Sequence, residues 1–234
     1  MRFQDASSDA RAIVYAGIQA EPLVARLAEL LADATHDQRI LARAVMNGMS
    51  TDPMRWMAMF PGLFGSDAAA TATDRQTSEA ILAASLEVAD RGEQVRSQVR
   101  GAVVESLTET LVRRRGAPAS GGGSAGGQGP VRRERRILFD GVRAEIHPYD
   151  VTVETPGSAE AIDCKWGARG IGADVLHQLD DARAHAADED ESLTATIVVF
   201  DAERSCRVRL KRETAPHEAT RLISIETLDV LAKP

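Results

Sequence analysis

Apolar positions in the first hundred residues recur at helical spacing. Pro22 suits a first helical position, and Leu23, Leu27, Leu30 and Leu31 follow it along one stripe. Ser8 can cap the segment "DARAIVYAGIQA", and "THDQ" at 35–38 has the form of a capping box ahead of Ile40, Leu41 and Ala44. "DP" at 52–53 opens a further short helix, and helical spacing continues over roughly 76–90 and 93–114. Beyond residue 130 the period changes to two. "RRILFDG" reads as a strand ending in a turn. "AEIHPYDVTVET" leads into a second strand, with Val151 and Val153 on one face and Asp150, Thr152 and Glu154 on the other. After the turn "PGS", "EAIDCKWG" alternates Ile162, Cys164 and Trp166 against Asp163 and Lys165. A helix over "ADVLHQLDDARAHAA" lines up Val175, Leu176, Leu179, Ala182 and Ala186, and "TATIVVFDA" is the continuous apolar run of a strand covered on both faces. "RLISIETLDVL" closes the chain with a short strand or helix. The order α, β, β, β, α, β specifies an α/β sandwich on a mixed central sheet flanked by helices, preceded by an α-helical N-terminal domain. The expected division is 1–92 for the helical domain and 93–234 for the α/β domain, the latter containing a glycine-rich segment, "GAPASGGGSAGGQGP", at 116–130.

Composition narrows the classes. The chain has 234 residues, enough to bury a proper core, and 44% hydrophobic residues, as in ordinary globular proteins. A net charge of -7 does not suggest a polybasic nucleic-acid binder of the histone type. The average conceals a local excess, because residues 113–136 hold seven arginines and one acid, Glu134, whereas 180–191 is acidic. Two cysteines, Cys164 and Cys206, and five scattered histidines do not make a four-ligand zinc site, and a reduced cytoplasmic protein is the simplest expectation. No apolar leader opens the chain and no window approaches a membrane span, so neither secretion nor membrane insertion is expected. The glycine-rich segment lacks a GK[ST] ending and does not read as a phosphate loop; as a flexible chain it spans on the order of 20 Å. Five of the six methionines lie between Met46 and Met59, beside Trp56 and Phe60. Such a cluster reads first as core or a helix contact, with a partner-binding surface as the alternative.

The polar faces of the second and third strands carry the chemistry. A tight connection makes them antiparallel neighbours, which lets Asp150, Asp163 and Lys165 meet at one end of the sheet. Crowded carboxylates repel unless a cation holds them. Mg²⁺ or Mn²⁺ suits one or two carboxylates completed by water and phosphate oxygens, and such an ion can acidify a water and polarise a phosphoryl oxygen. Lys165 is then placed to orient the water or to stabilise charge in the transition state.

"YD" at 149–150 with "DCK" at 163–165, in this strand, turn, strand setting, resembles the PD-(D/E)xK, or restriction-endonuclease-like, nuclease superfamily. The resemblance covers about residues 95–205 and departs from the pattern at the proline, since Tyr149 precedes Asp150 and Pro148 lies one place earlier. It implies the αβββαβ core of that family, with Asp150 and Asp163 as metal ligands and Lys165 as the catalytic lysine. It further implies a glutamate from the preceding helix, for which Glu105 is the candidate, and a glutamine from the following helix, Gln178, with His177 beside it. Helical spacing leaves Glu105 open: Val103, Val104, Leu107 and Leu111 form the apolar face and Glu105 projects away from its centre, so it is a ligand if the helix is covered on both sides and solvated otherwise. The implied activity is Mg²⁺- or Mn²⁺-dependent hydrolysis of DNA, double-stranded DNA being favoured, with restriction or antiphage defence as the setting by analogy. Arginines at 113–115 and 132–136 could neutralise backbone phosphates or form a solvated surface. The helical region is expected to dimerise or to dock a protein partner. A non-catalytic nucleic-acid-binding module on the same scaffold, and a helical adaptor assembling through the Met-rich region, are the competing expectations.

Overall fold

A computed structural model describes residues 1–6, 10–65, 71–116, 129–139, 142–143, 147–213 and 220–233. The chain is mixed α/β and divides into two compact units, Ala10–Leu107 and a second built from Met1–Asp9 with Thr108–Pro234.

The first unit is made of helices: α1 (Ala10–Gln19), α2 (Pro22–Ala32), α3 (His36–Asn47), α4 (Pro53–Met59), α5 (Pro61–Phe64), α6 (Ala72–Ala89) and the Glu93–Leu107 part of α7 (Glu93–Arg115). Their starts have the expected chemistry. The Thr35 and Gln38 side chains cap each other's backbone, Asp52 caps the Met54 amide ahead of α4, and Pro22 and Pro53 occupy first-turn positions. The proposed Ser8 cap lies outside the described residues. The core contains Leu23, Leu27 and Leu31 of α2, Leu41 and Met46 of α3 and Ile81 of α6. The methionine cluster is only partly core. Met46 and Trp56 are buried, but Met49 and Met54 are 86% and 69% exposed and Met59 is also exposed. The reason is length: α4 has seven residues, two turns, and buries only Trp56, whose indole donates to the Ser50 carbonyl.

The second unit is built on an open sheet in the order β1-β2-β4-β5-β6-β7, from β1 (Arg2–Asp5), β2 (Val131–Phe139), β4 (Tyr149–Thr155), β5 (Ser158–Lys165), β6 (Ser192–Val199) and β7 (Arg221–Ile223); β3 (Val142–Arg143) pairs with β2. The pairings β1/β2, β2/β4 and β4/β5 are antiparallel, whereas β5/β6 and β6/β7 are parallel. A parallel pair needs a crossover, and α8 (Ala173–Asp188) supplies it between β5 and β6. The hairpin between β4 and β5 turns at Pro156 and Gly157, where Gly157 takes φ 71°, a conformation that favours glycine. The expected apolar face of α8, Val175, Leu176, Leu179, Ala182 and Ala186, packs on Ala159, Ala161, Ala195, Ile197 and Val199. Val151, Ile162, Cys164 and Val198 alternate to the other side, so β6 is buried on both faces. A short helix, α9 (Glu203–Leu210), follows β6.

Two elements differ from expectation. Arg2–Asp5 is a strand, not part of the helical region, and its pairing runs from Arg2 opposite Leu138 to Asp5 opposite Arg135. Only Phe3 of this tetrapeptide is apolar, so no periodicity announces it; pairing with residues 130 to 136 positions further along the chain supplies the reason. The arginine run 132–136 lies inside β2, where Glu134 has φ 52°. That left-handed residue interrupts alternation: Arg133 ion-pairs with Glu109 of α7, whereas Ile137 and Phe139 join the core under α8. Of the glycine-rich segment, 117–128 lies outside the described residues, as do 140–141 and 144–146 of the expected strand connections. The closing segment contains both expected alternatives, β7 and a 3₁₀ turn over Leu228–Ala232.

Candidate active site

The β4–β5 register fixes the site. Pairing runs from Thr155 opposite Ser158 to Val151 opposite Ile162, and one step further along it stand Asp150 and Asp163. There β5 leaves β4 to continue alone against β6, and the Asp150 carboxylate takes over the ladder: its Oδ2 accepts the Cys164 amide at 2.5 Å. Lys165, two residues after Asp163 on the same strand face, forms an ion pair with Asp163 Oδ1. Asp150, Asp163 and Lys165 are therefore brought together. The backing is apolar as the alternation requires. Cys164 is buried with its thiol 3.5 Å from the Thr108 hydroxyl, and Trp166 stacks on Phe200 with ring centroids 5.1 Å apart.

Burial pushes the Lys165 pKa down, and the charges of Asp163 and then Asp150, joined by the hydrogen bond to Asp163 and by Cys164, outweigh it and leave the pKa raised above the ordinary lysine value. Lys165 is thus an ammonium at neutral pH, a hydrogen-bond donor and not a base. Asp163 Oδ1 is buried and, apart from the charge contact with Lys165, has no partner aligned for a hydrogen bond. Two carboxylates against one ammonium leave a net negative cluster, which fits a hard divalent cation. Among the described residues no three His, Cys, Asp or Glu side chains are grouped for a metal, so an ion here would rely on these two carboxylates with water or substrate oxygens.

The Lys165 side chain is steered from outside the strand pair. A 3₁₀ turn at Ala168–Gly170 lies over its stem, so close that a Cβ on Gly170 would sit 3.0 Å from Lys165 Cδ. Asp201, just past the end of β6, holds this turn by accepting the Ala168 amide at 3.0 Å. Neither residue was singled out in the sequence; "ARGIG" and the Asp after the apolar run were the available signals, and both look like ordinary loop chemistry.

Gln178 is buried on α8, and its amide is engaged with one backbone residue: Oε1 accepts the His147 N–H at 3.1 Å and Nε2 donates to the His147 carbonyl at 2.9 Å. The Tyr149 hydroxyl also donates to the Gln178 carbonyl, at 3.3 Å. Gln178 thus fixes the chain entering β4, three residues before Asp150, and is a positioning residue. Gln178→Leu should lower stability by about 1–2 kcal/mol, measured by urea denaturation, because the His147 amide and carbonyl lose their partner. Unchanged stability would show that solvent replaces the clamp. His177, beside it, is exposed. Glu105 is buried in the helical unit, where its two oxygens accept from the Tyr15 hydroxyl at 2.5 Å and the Gln19 amide at 2.7 Å, both on α1. Its helix is thus covered on the Glu105 side, and both Glu105 oxygens are engaged within the helical unit.

No protein-family model, curated protein or solved structure matches the chain. No helix among the described residues is long and apolar enough to cross a membrane.

Proposed function

We propose that the chain is a metal-dependent nuclease of the PD-(D/E)xK type that hydrolyses phosphodiester bonds in DNA. The observation that carries this reading is the convergence of Asp150, Asp163 and the Lys165 ammonium where β4 and β5 part. The succession α7, β2, β4, β5, α8, β6, with three antiparallel strands and a fourth parallel to the third, supports it, because it is the αβββαβ order the motif implies.

In this reading Asp150 and Asp163 would hold a Mg²⁺ or Mn²⁺ ion, which when bound would acidify a water and polarise a phosphoryl oxygen. Lys165 donates a hydrogen bond to the water or to a non-bridging phosphoryl oxygen, where negative charge grows as water attacks phosphorus and the P–O bond to the leaving oxygen breaks. Gly170 lies against the Lys165 stem in the turn that Asp201 holds, and Gln178 fixes the chain entering the strand that carries Asp150. The helical unit, with Met49, Met54 and Met59 exposed, is the place for self-association or a protein partner.

The test is nicking of supercoiled plasmid by the full chain. Cleavage is expected with Mg²⁺ or Mn²⁺, none with EDTA and none for Asp163→Ala. A wild-type protein that neither cleaves nor binds either metal by calorimetry would replace this reading with that of a non-catalytic binding module.

A further inference from the structure

The arginines that the sequence offers most conspicuously are largely occupied inside the unit built on the sheet. Arg113 and Arg133 pair with Glu109, Arg115 with Glu160, and Arg135 with Asp5 and Glu154. The α9 segment differs. Residues 203–213 carry five cations and two acids, a net charge of +3 in a chain of net charge -7. Arg204, Arg207, Val208 and Lys211 stand at i, i+3, i+4 and i+7, which is one face of a helix that Lys211 continues in helical conformation; all four are exposed. Together with Glu203 they line a surface groove of about 460 Å³. Arg207 ion-pairs with Glu203, and among the described residues the Arg204 and Lys211 side chains have no ion pair.

The helix that carries this face follows β6, the strand paired with the Lys165 end of β5. Lys165 and Val199 are opposite one another at the parallel ends of β5 and β6, and α9 begins four residues after Val199. Asp201 ties its start to Ala168, and Arg209 near its end donates to the Ile171 carbonyl at 2.8 Å. α9 is thus clamped at both ends to the turn that covers the Lys165 stem.

Resting on the nuclease reading, we infer that the Arg204, Arg207 and Lys211 face of α9 is the track for the sugar–phosphate backbone of the DNA substrate. Seven residues of helix advance about 10 Å, so the three cations are spread over a length that can follow a run of backbone phosphates. The face offers Arg and Lys donors for phosphate oxygens. Its single apolar residue, Val208, gives none of the aromatic anchoring typical of a protein interface, which favours nucleic acid over an acidic protein. Contact of this kind positions the strand without reading its sequence.

The experiment measures binding of a short fluorescein-labelled duplex of mixed sequence by anisotropy, in EDTA, across about 50 to 200 mM salt. Removing three phosphate contacts with R204Q/R207Q/K211Q is expected to flatten the slope of log affinity against log salt by about 3 and to weaken binding roughly 100-fold near 0.1 M. R26Q/R55Q/R75Q, an equal loss of exposed charge in the helical unit, is expected to change neither. A triple α9 variant that binds with wild-type affinity and slope overturns the inference. So does a wild-type protein that leaves the duplex free but binds polyglutamate through the same three residues, which would assign the face to an acidic protein. Asp163→Asn separates this result from the catalytic reading: it should bind the duplex normally and fail to nick plasmid, and nicking that survives it would sink the catalytic reading while leaving the binding result to stand on its own.

Discussion

Lys165→Ala is expected to slow plasmid nicking by about two to three orders of magnitude while leaving metal affinity intact or improved. The size follows from what the ammonium does in the proposed reaction. A single donor aimed at developing oxyanion charge in a water-poor site is worth about 10²–10³ in turnover when removed. The raised pKa of Lys165, maintained by Asp163 and Asp150 against burial, keeps it a donor at neutral pH, so its loss removes a charge and a hydrogen bond together. The effect on metal has the opposite sign. Lys165 occupies Asp163 Oδ1 as an ion-pair partner and competes with a divalent cation for the same carboxylate field, so truncating it lowers the barrier to metal entry. Asp163→Asn should instead weaken both, since it removes a full charge and one ligand oxygen. Calorimetric titration with Mn²⁺ beside single-turnover nicking distinguishes them. Lys165→Ala cleaving at the wild-type rate would remove the lysine from the chemistry, and Asp163→Asn binding Mn²⁺ normally would remove the aspartate from the metal.

The site was legible because strand alternation is local. "DCK" places Asp163 and Lys165 on one face with Cys164 behind them whatever the rest of the chain does, and "PGS" fixes the hairpin that brings Asp150 alongside. The helix starts at Thr35 and Asp52 were legible for the same reason, each being a contact within three residues. What escaped was non-local. The Arg2–Asp5 strand exists through pairing with β2, and the groove on α9 depends on where β6 ends and which acids other arginines have already met. A run of arginine reads as a solvated or phosphate-binding stretch until its partners are known. Arg115 and Arg135 turn inward to Glu160 and Glu154, and an alternation argument that stopped at Asp163 passed over Glu160, three residues earlier on the same strand.

Glu160→Ala is expected to destabilise the unit built on the sheet by about 3 kcal/mol, the largest single loss among the polar residues of β5. Glu160 is buried on the face opposite Ala159 and Ala161, where Oε2 accepts from Arg115 at 2.8 Å and Oε1 from the Thr196 hydroxyl at 3.1 Å, with Arg221 3.9 Å away. One carboxylate thereby ties the end of α7 to β5, β6 and β7. Removing it leaves the largely buried Arg115 guanidinium and the Thr196 hydroxyl without their acceptor, and breaking a buried pair from one side costs about 3–5 kcal/mol. The partial exposure of Arg115 sets the lower end. Taking both partners away should recover most of the loss, because the penalty lies in the stranded charge and not in the missing pair. R115L/E160L is therefore expected to unfold close to the wild type. Trp166 reports this unit and Trp56 the helical one, so urea denaturation followed by fluorescence in a W56F background reads the right transition. A Glu160→Ala loss no larger than that of an exposed pair such as Arg75 and Glu79, under about 1 kcal/mol, would mean that water already supports Arg115, and a double variant less stable than the single would mean that the pair contributes net attraction.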